Sequence, residues 1–98
     1  MPMLIIAGHS TLDAADRDRY VTAHHNLIRR GRQAPGCLDL AITADPLDPT
    51  RVNVFERWQS KEHLDEWRAV ARAPRSKIKL GSVDVMMYVV SDVRPPFG

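Results

Sequence analysis

The chain has 98 residues, 44% of them hydrophobic and 27% charged, which is ordinary usage for one globular domain and argues against disorder. Fourteen Lys+Arg against twelve Asp+Glu leave a formal net charge of +2, which gives no support to nucleic-acid or anionic-membrane binding. One cysteine, Cys37, excludes an intrachain disulfide and a Cys-rich zinc site; no apolar run approaches the ~20 residues of a membrane helix, and Met1–Ile6 lacks the basic start of a signal peptide, so a soluble cytoplasmic domain is expected.

Met3 to Ser10 carries Leu4, Ile5, Ile6 and Ala7 in succession, a short apolar run suited to a strand buried on both faces. Asp13 then reads as an N-cap, with Asp16 in the first turn where the helix dipole favours a carboxylate. This first helix is expected to run to Arg32 or Ala34, where Pro35-Gly36 stops it. At about 100° per residue its inner stripe collects Tyr20, His24, Leu27, Ile28 and Gly31, with His25 at the margin. Arg29, Arg30 and Arg32 fall mainly elsewhere and read as a solvated helix end complementing the dipole.

Cys37 to Ala44 alternates, with Leu38, Leu40, Ile42 and Ala44 pointing one way, as in a half-buried strand. Asp45-Pro46-Leu47-Asp48-Pro49 is a turn-rich connector, and Arg51 to Trp58 reads as the next strand, completing an antiparallel hairpin. Ser60 caps a second helix with inner stripe His63, Leu64, Trp67, Val70 and Ala71, ended by Pro74. Arg75 to Gly81 is ambiguous, with room for a turn of helix. Ser82 to Asp92 is the last strand, and residues 92–98 form an extended tail.

The order β-α-β-β-α-β predicts a single ferredoxin-like α+β domain over residues 1–98: a four-stranded antiparallel sheet with two helices on one face. The first and third strands are read as central, parallel neighbours, which would bring His9 beside Trp58. The uncovered sheet face would expose an apolar patch that soluble monomers rarely tolerate, so a two-fold dimer packed sheet to sheet is expected.

Ala34-Pro35-Gly36-Cys37-Leu38, Asp45-Pro46-Leu47-Asp48-Pro49-Thr50-Arg51 and Val54-Phe55-Glu56-Arg57-Trp58 together resemble the antibiotic biosynthesis monooxygenase family: a P-G-C turn, an acidic D-x-x-D-P loop and an E-x-W strand end before a capped helix. The resemblance implies a dimeric α+β barrel and oxygenation of phenolic, quinol or anthrone substrates by O2 without metal or flavin, with a related branch that binds and breaks haem. The anthrone-oxidising branch has an Asn where this chain has Val54, Asn53 being one step off, and a Tyr where this chain has Leu64. The haem branch has a Trp matching Trp67, a proximal His where this chain has Lys77, and an Asn that aligns roughly with His9.

The site expected from the residues has His24 or His9 as a general base, since an imidazole titrates at about 6.5 in water. Trp58, Trp67, Tyr20, Val54 and Glu56 would line the pocket, the aromatic rings stacking on an aromatic substrate. The main candidates have plainer roles: His24 a core histidine bonded to backbone or to a neighbour, His9 a loop-end hydrogen bonder, Trp58 and Trp67 a packed pair, Glu56 a carboxylate bridged to an arginine or across the dimer. No residue set has metal-ligand spacing and no glycine-rich loop could cradle a nucleotide or flavin, so no cofactor is expected. The function that follows is a cofactor-independent monooxygenase acting with O2 on a small phenolic or quinol-like molecule. A haem-binding or haem-degrading protein and a non-catalytic ligand-binding dimer are the alternatives.

Overall fold

In the computed structural model, which describes residues 2–98, the four expected strands form one sheet: β1 (Met3–Thr11), β2 (Cys37–Ala44), β3 (Arg51–Trp58) and β4 (Ser82–Val90). Their order is β2-β3-β1-β4 and every neighbouring pair is antiparallel. The ferredoxin-like α+β class is therefore as anticipated, but the parallel pairing of β1 with β3 is not. Leu4 lies opposite Trp58 and His9 opposite Asn53, so His9 and Trp58 sit at different ends of the sheet. The reason is topological. The helical crossover leaves β1 parallel to β2, the hairpin reverses β3, and β3 lies between them.

The first helix is interrupted once, giving α1 (Ala14–Ala23) and α2 (His25–Arg32). Asp13 caps α1, its Oδ1 accepting the Ala15 N–H at 2.8 Å. At the junction the His24 N–H donates to Val21 O at 3.1 Å, a tightened last turn, and the Ile28 N–H to His24 O at 3.0 Å continues the helix. Ser60 caps α3 (Lys61–Val70), its Oγ accepting the His63 N–H at 3.2 Å. That helix ends at Ala71, short of Pro74, and residues 71–80 take no regular structure.

Alternation along the strands gives the sheet two faces. Leu4, Ile6 and Trp58 point to the helices and pack with Leu64 and Trp67 of α3, with Leu27, Ala34, Cys37, Ala71 and Val85 around them. Val70, expected on the inner stripe of α3, is exposed. Leu38 also leaves its expected face, because a bulge between Cys37 and Asp39 makes it the extra residue of β2. Gly8 is required where β1 meets β4: its φ is +153°, and an added Cβ would press on Asp84 O and stand 2.7 Å from Val85 Cα.

The other face carries Ile5, Ala7, Phe55, Met86 and Tyr88 on consecutive rows. Met86 and Tyr88 are 59% and 54% exposed. On β4 the helix-facing Val83, Met87 and Val89 are exposed as well, because the helices lie over β2 and β3 and stop short of the β4 edge.

The β2–β3 loop is built on hydrogen bonds. Arg17 on α1 donates to the carbonyls of Asp45 and Asp48 at 3.2 and 2.9 Å. Asp45 accepts from Asn53 Nδ2 at 2.9 Å and from the Leu47 and Asp48 amides at 3.0 and 2.8 Å. These donors, the Asn53 amide first, hold the Asp45 carboxyl at about 2, below its ordinary 3.8. A depressed carboxyl stabilises the fold above its unfolded pKa, and that contribution is lost as pH falls through the folded value. Following the Asp45 side-chain carbonyl by NMR should therefore give a midpoint near 2, moving back toward 3.8 in Asn53→Ala; a wild-type midpoint at the ordinary value would contradict this network.

Candidate functional site

The two adjacent stripes of the α1–α2 segment face different surroundings. Tyr20, His24, Leu27 and Gly31 turn inward: His24 and Gly31 are buried, Leu27 packs on the core, and Tyr20 is half-buried. One residue on, at spacings of four, three, one and three, Val21, His25, Ile28, Arg29 and Arg32 hang over β2. With Gln33 and the strand segment Ala41, Ile42, Thr43 and Ala44 they line a largely open cavity of about 580 Å³ at the sheet edge, and His25, Arg29 and Arg32 are exposed there. That volume falls in the range of about 300–1,000 Å³ typical of small-molecule sites. Ala44, on the helix-facing row of β2, leaves the strand low beneath a helix whose approach is set elsewhere, and Ala41, opposite Phe55 on the other row, reaches the space only at the sheet edge.

Gly31 sets that approach. A Cβ there would overlap the Leu40 side chain and lie 3.1 Å from Trp67 Cζ2, so only glycine lets α2 settle this closely on β2 and α3. Arg32, the next residue, lies along the free edge of β2, where its Nε donates to Leu40 O at 2.7 Å. The Leu40 N–H likewise turns away from β3 and donates to Asp39 Oδ1 at 2.9 Å. In an antiparallel ladder both backbone groups of alternate residues point the same way. Ile42 and Ala44 therefore also direct their N–H and C=O outward, toward the mouth of the cavity.

The residues expected to form the site are dispersed. Trp58 is fully buried and its indole lies 6.4 Å from that of Trp67, the planes 25° apart. Arg30 covers Trp67, its guanidinium carbon 5.6 Å from the ring. Glu56 Oε1 accepts the Trp58 Nε1–H at 3.0 Å, so its partner is the tryptophan and not an arginine. Val54 shares the Glu56 face of β3 but does not line the cavity. His24 is buried, its ring centroid 4.2 Å from that of Tyr20. Its Nδ1 lies 2.8 Å from Tyr20 O; a carbonyl only accepts, so Nδ1 is the donor. Burial raises the Tyr20 phenol above 10.0. His9 lies on the sheet face away from the helices, opposite Asn53 and Asp84, and so cannot share a chamber with His24 in one chain.

Asn53 and Leu64, which stand near or at the two catalytic positions of the anthrone-oxidising branch, are engaged elsewhere. Asn53 bonds Asp45 and accepts from Arg51 Nε at 2.7 Å, and Leu64 is core. Sequence reasoning missed His25, Arg29 and Arg32 as a set. Their i, i+4, i+7 spacing was visible, but the deeper stripe beside it is more apolar and drew the periodicity to itself. Among the described residues no group of three or more His, Cys, Asp or Glu side chains is placed to hold a metal ion, and no helix is long and apolar enough to cross a membrane.

Residues 3–72 match the family described as antibiotic biosynthesis monooxygenase. No curated protein matches the sequence. Solved structures share the fold at low identity. A Shewanella oneidensis protein is 17% identical with a TM-score of 0.74, over 89% of each chain. A Pseudomonas aeruginosa protein is 18% identical with a TM-score of 0.72, over 93% of this chain and 95% of that one. A structure described as an antibiotic biosynthesis monooxygenase is 19% identical with a TM-score of 0.63, over 94% and 99%.

The hydrogen bond from His24 to Tyr20 O makes a spectroscopic prediction. Long-range 1H–15N correlation should find a proton on His24 Nδ1; a tautomer with Nδ1 bare would show that the imidazole is not held by the helix backbone.

Proposed function

This chain belongs to the antibiotic biosynthesis monooxygenase family, and on that premise we propose that it oxidises a small phenolic or quinol-like molecule with O2, using no cofactor, in the cavity between α1–α2 and β2. The observation that carries the reading is the cavity itself, whose lining joins a histidine, two arginines, Gln33 and Thr43 to the apolar Val21, Ile28, Ala41, Ile42 and Ala44. In this reading His25 is the base. It accepts the substrate's hydroxyl proton, in a lining with no Asp or Glu to oppose the resulting anion. Val21, Ile28, Ala41 and Ile42 supply the apolar surface that orients the ring.

The chemistry needs no further reductant. A phenolate is electron-rich enough to pass one electron to triplet O2; the two radicals combine with formation of a carbon–oxygen bond. Loss of water from the product, with the ring C–H proton, leaves a quinone. One oxygen atom enters the organic product, the other leaves as water, and the substrate supplies all the electrons.

The haem reading rests on Trp67, and that ring does not fit a porphyrin: Trp58 lies beside it and Arg30 over it. The dimer, in contrast, has support. The face bearing Ile5, Ala7, Phe55, Met86 and Tyr88 is uncovered in the single chain, and on the same face Arg57 Nε is buried without a hydrogen-bond partner. A second copy would cover the patch and supply the missing acceptor.

Oxygen uptake by metal-stripped protein over a panel of phenols and quinols tests the activity. His25→Gln should lower turnover by about 100-fold or more while leaving the fold intact. Full activity in His25→Gln with loss in His24→Gln would instead place the base on the inner stripe. Sedimentation at micromolar concentration should give twice the monomer mass, reduced to the monomer by Phe55→Glu; a wild-type monomer would contradict the sheet-to-sheet dimer.

A further inference from the structure

The cavity has a charge pattern that a neutral phenol does not explain. Three of its lining side chains, His25, Arg29 and Arg32, are cationic or able to become so, and no Asp or Glu lines it. Among the described residues neither Arg29 nor Arg32 takes part in a salt bridge; the arginines that do are Arg17, Arg19, Arg51 and Arg94. Arg32 is also held. With Nε fixed on Leu40 O at 2.7 Å, its guanidinium plane is anchored to the sheet edge and the two terminal nitrogens remain free. Such a fork, oriented before a ligand arrives, suits the two coplanar oxygens of a carboxylate. Beside it the outward N–H of Ile42 adds a backbone donor at the same edge.

We infer that the cavity selects an aromatic carboxylate, with the carboxylate at the rim on Arg32 and Arg29 and the ring inside against Ile28, Ala41 and Ile42. If the oxygenase reading also holds, the substrate is a hydroxy-aromatic acid; the inference takes from that reading only the use of this cavity. The charge favours a single anionic group on an apolar body over a polyanion. The lining has more apolar than polar surface, and a phosphate would bring a second charge with no apolar ring to fill the space. The carboxylate also fixes direction: anchored at the edge strand, the ring presents its far side to the His25 wall.

Binding tests this without any turnover. Calorimetric titration with 4-hydroxybenzoate, its smaller neutral analogue 4-cresol, and inorganic phosphate should give the carboxylate at least tenfold the affinity of either other probe. NMR titration with the same acid should move the Ile42 and Ala44 amides and leave the Trp58 indole N–H in place. Arg32→Gln should abolish the preference over cresol, and Arg32→Lys should recover only part of it, because a lysine brings the charge without the fork. Arg29→Gln, at an exposed position that makes no hydrogen bond in the fold, is the second variant should Arg32→Gln unfold. Equal affinity for cresol and the acid, or a preference unchanged in both glutamine variants, would overturn the inference. So would phosphate binding as tightly as the acid, which would mark a general anion site. Carboxylate binding with no oxygen uptake from any hydroxy acid would overturn the oxygenase reading and leave this one standing; uptake from neutral phenols alone would do the reverse.

Discussion

Everything distinctive about this domain follows from the close seat of α2 on the sheet at Gly31. Close packing requires a residue without a side chain there, since Leu40 and Trp67 already occupy the space a Cβ would take. Once the helix is fixed at that point, its rotation is fixed too. The stripe through Gly31 is committed to the core, and the stripe one residue on, ending in Arg32, is committed to the space above β2. The cavity is thus a consequence of core packing, bounded on one side by a helix seated at Gly31 and on the other by a strand whose Ala44 does not fill it.

The sheet edge adds the second constraint. An unpaired edge strand exposes backbone donors and acceptors that invite uncontrolled pairing. Here Arg32 takes the outward Leu40 carbonyl and Asp39 the outward Leu40 amide, so one side chain both blunts the edge and acquires a fixed orientation at the cavity mouth. At the end of β2 the loop on Asp45, Asn53 and Arg17 pins the hairpin to α1. The floor and the roof of the cavity are thereby joined at both ends, which favours a preformed site over one assembled by its ligand.

Much of this was legible in the sequence. Period-two alternation located β2 to the residue, Val and aromatic content did the same for β3, and Asp13 and Ser60 marked the starts of α1 and α3 because a side-chain oxygen before an apolar-periodic stretch has few other uses. The family resemblance lay in the same loop and strand residues. What the sequence obscured had physical causes. A single-residue bulge removed Leu38 from its face, which no alternation pattern can signal. The direction of β3 relative to β1 is a property of the whole sheet, not of either strand. The tryptophans resembled a ligand cage, yet the short α3 has little else with which to fill the space over Leu4 and Ile6, and they pack there. Periodicity points to the more apolar stripe of the helix, where burial is strongest; the proposed site is on the next one, where burial is incomplete.

The central claim is that a ligand enters over β2 and not between the helices and the centre of the sheet. A crystal structure of the protein with a bound hydroxy-aromatic acid tests it most directly. The account requires the ring to lie between Ile28 and Ile42 with its carboxylate against Arg32 and with Trp58 and Trp67 still packed together. Density for the ring beside Trp67 and His24, with the tryptophan pair parted to admit it, would contradict the account.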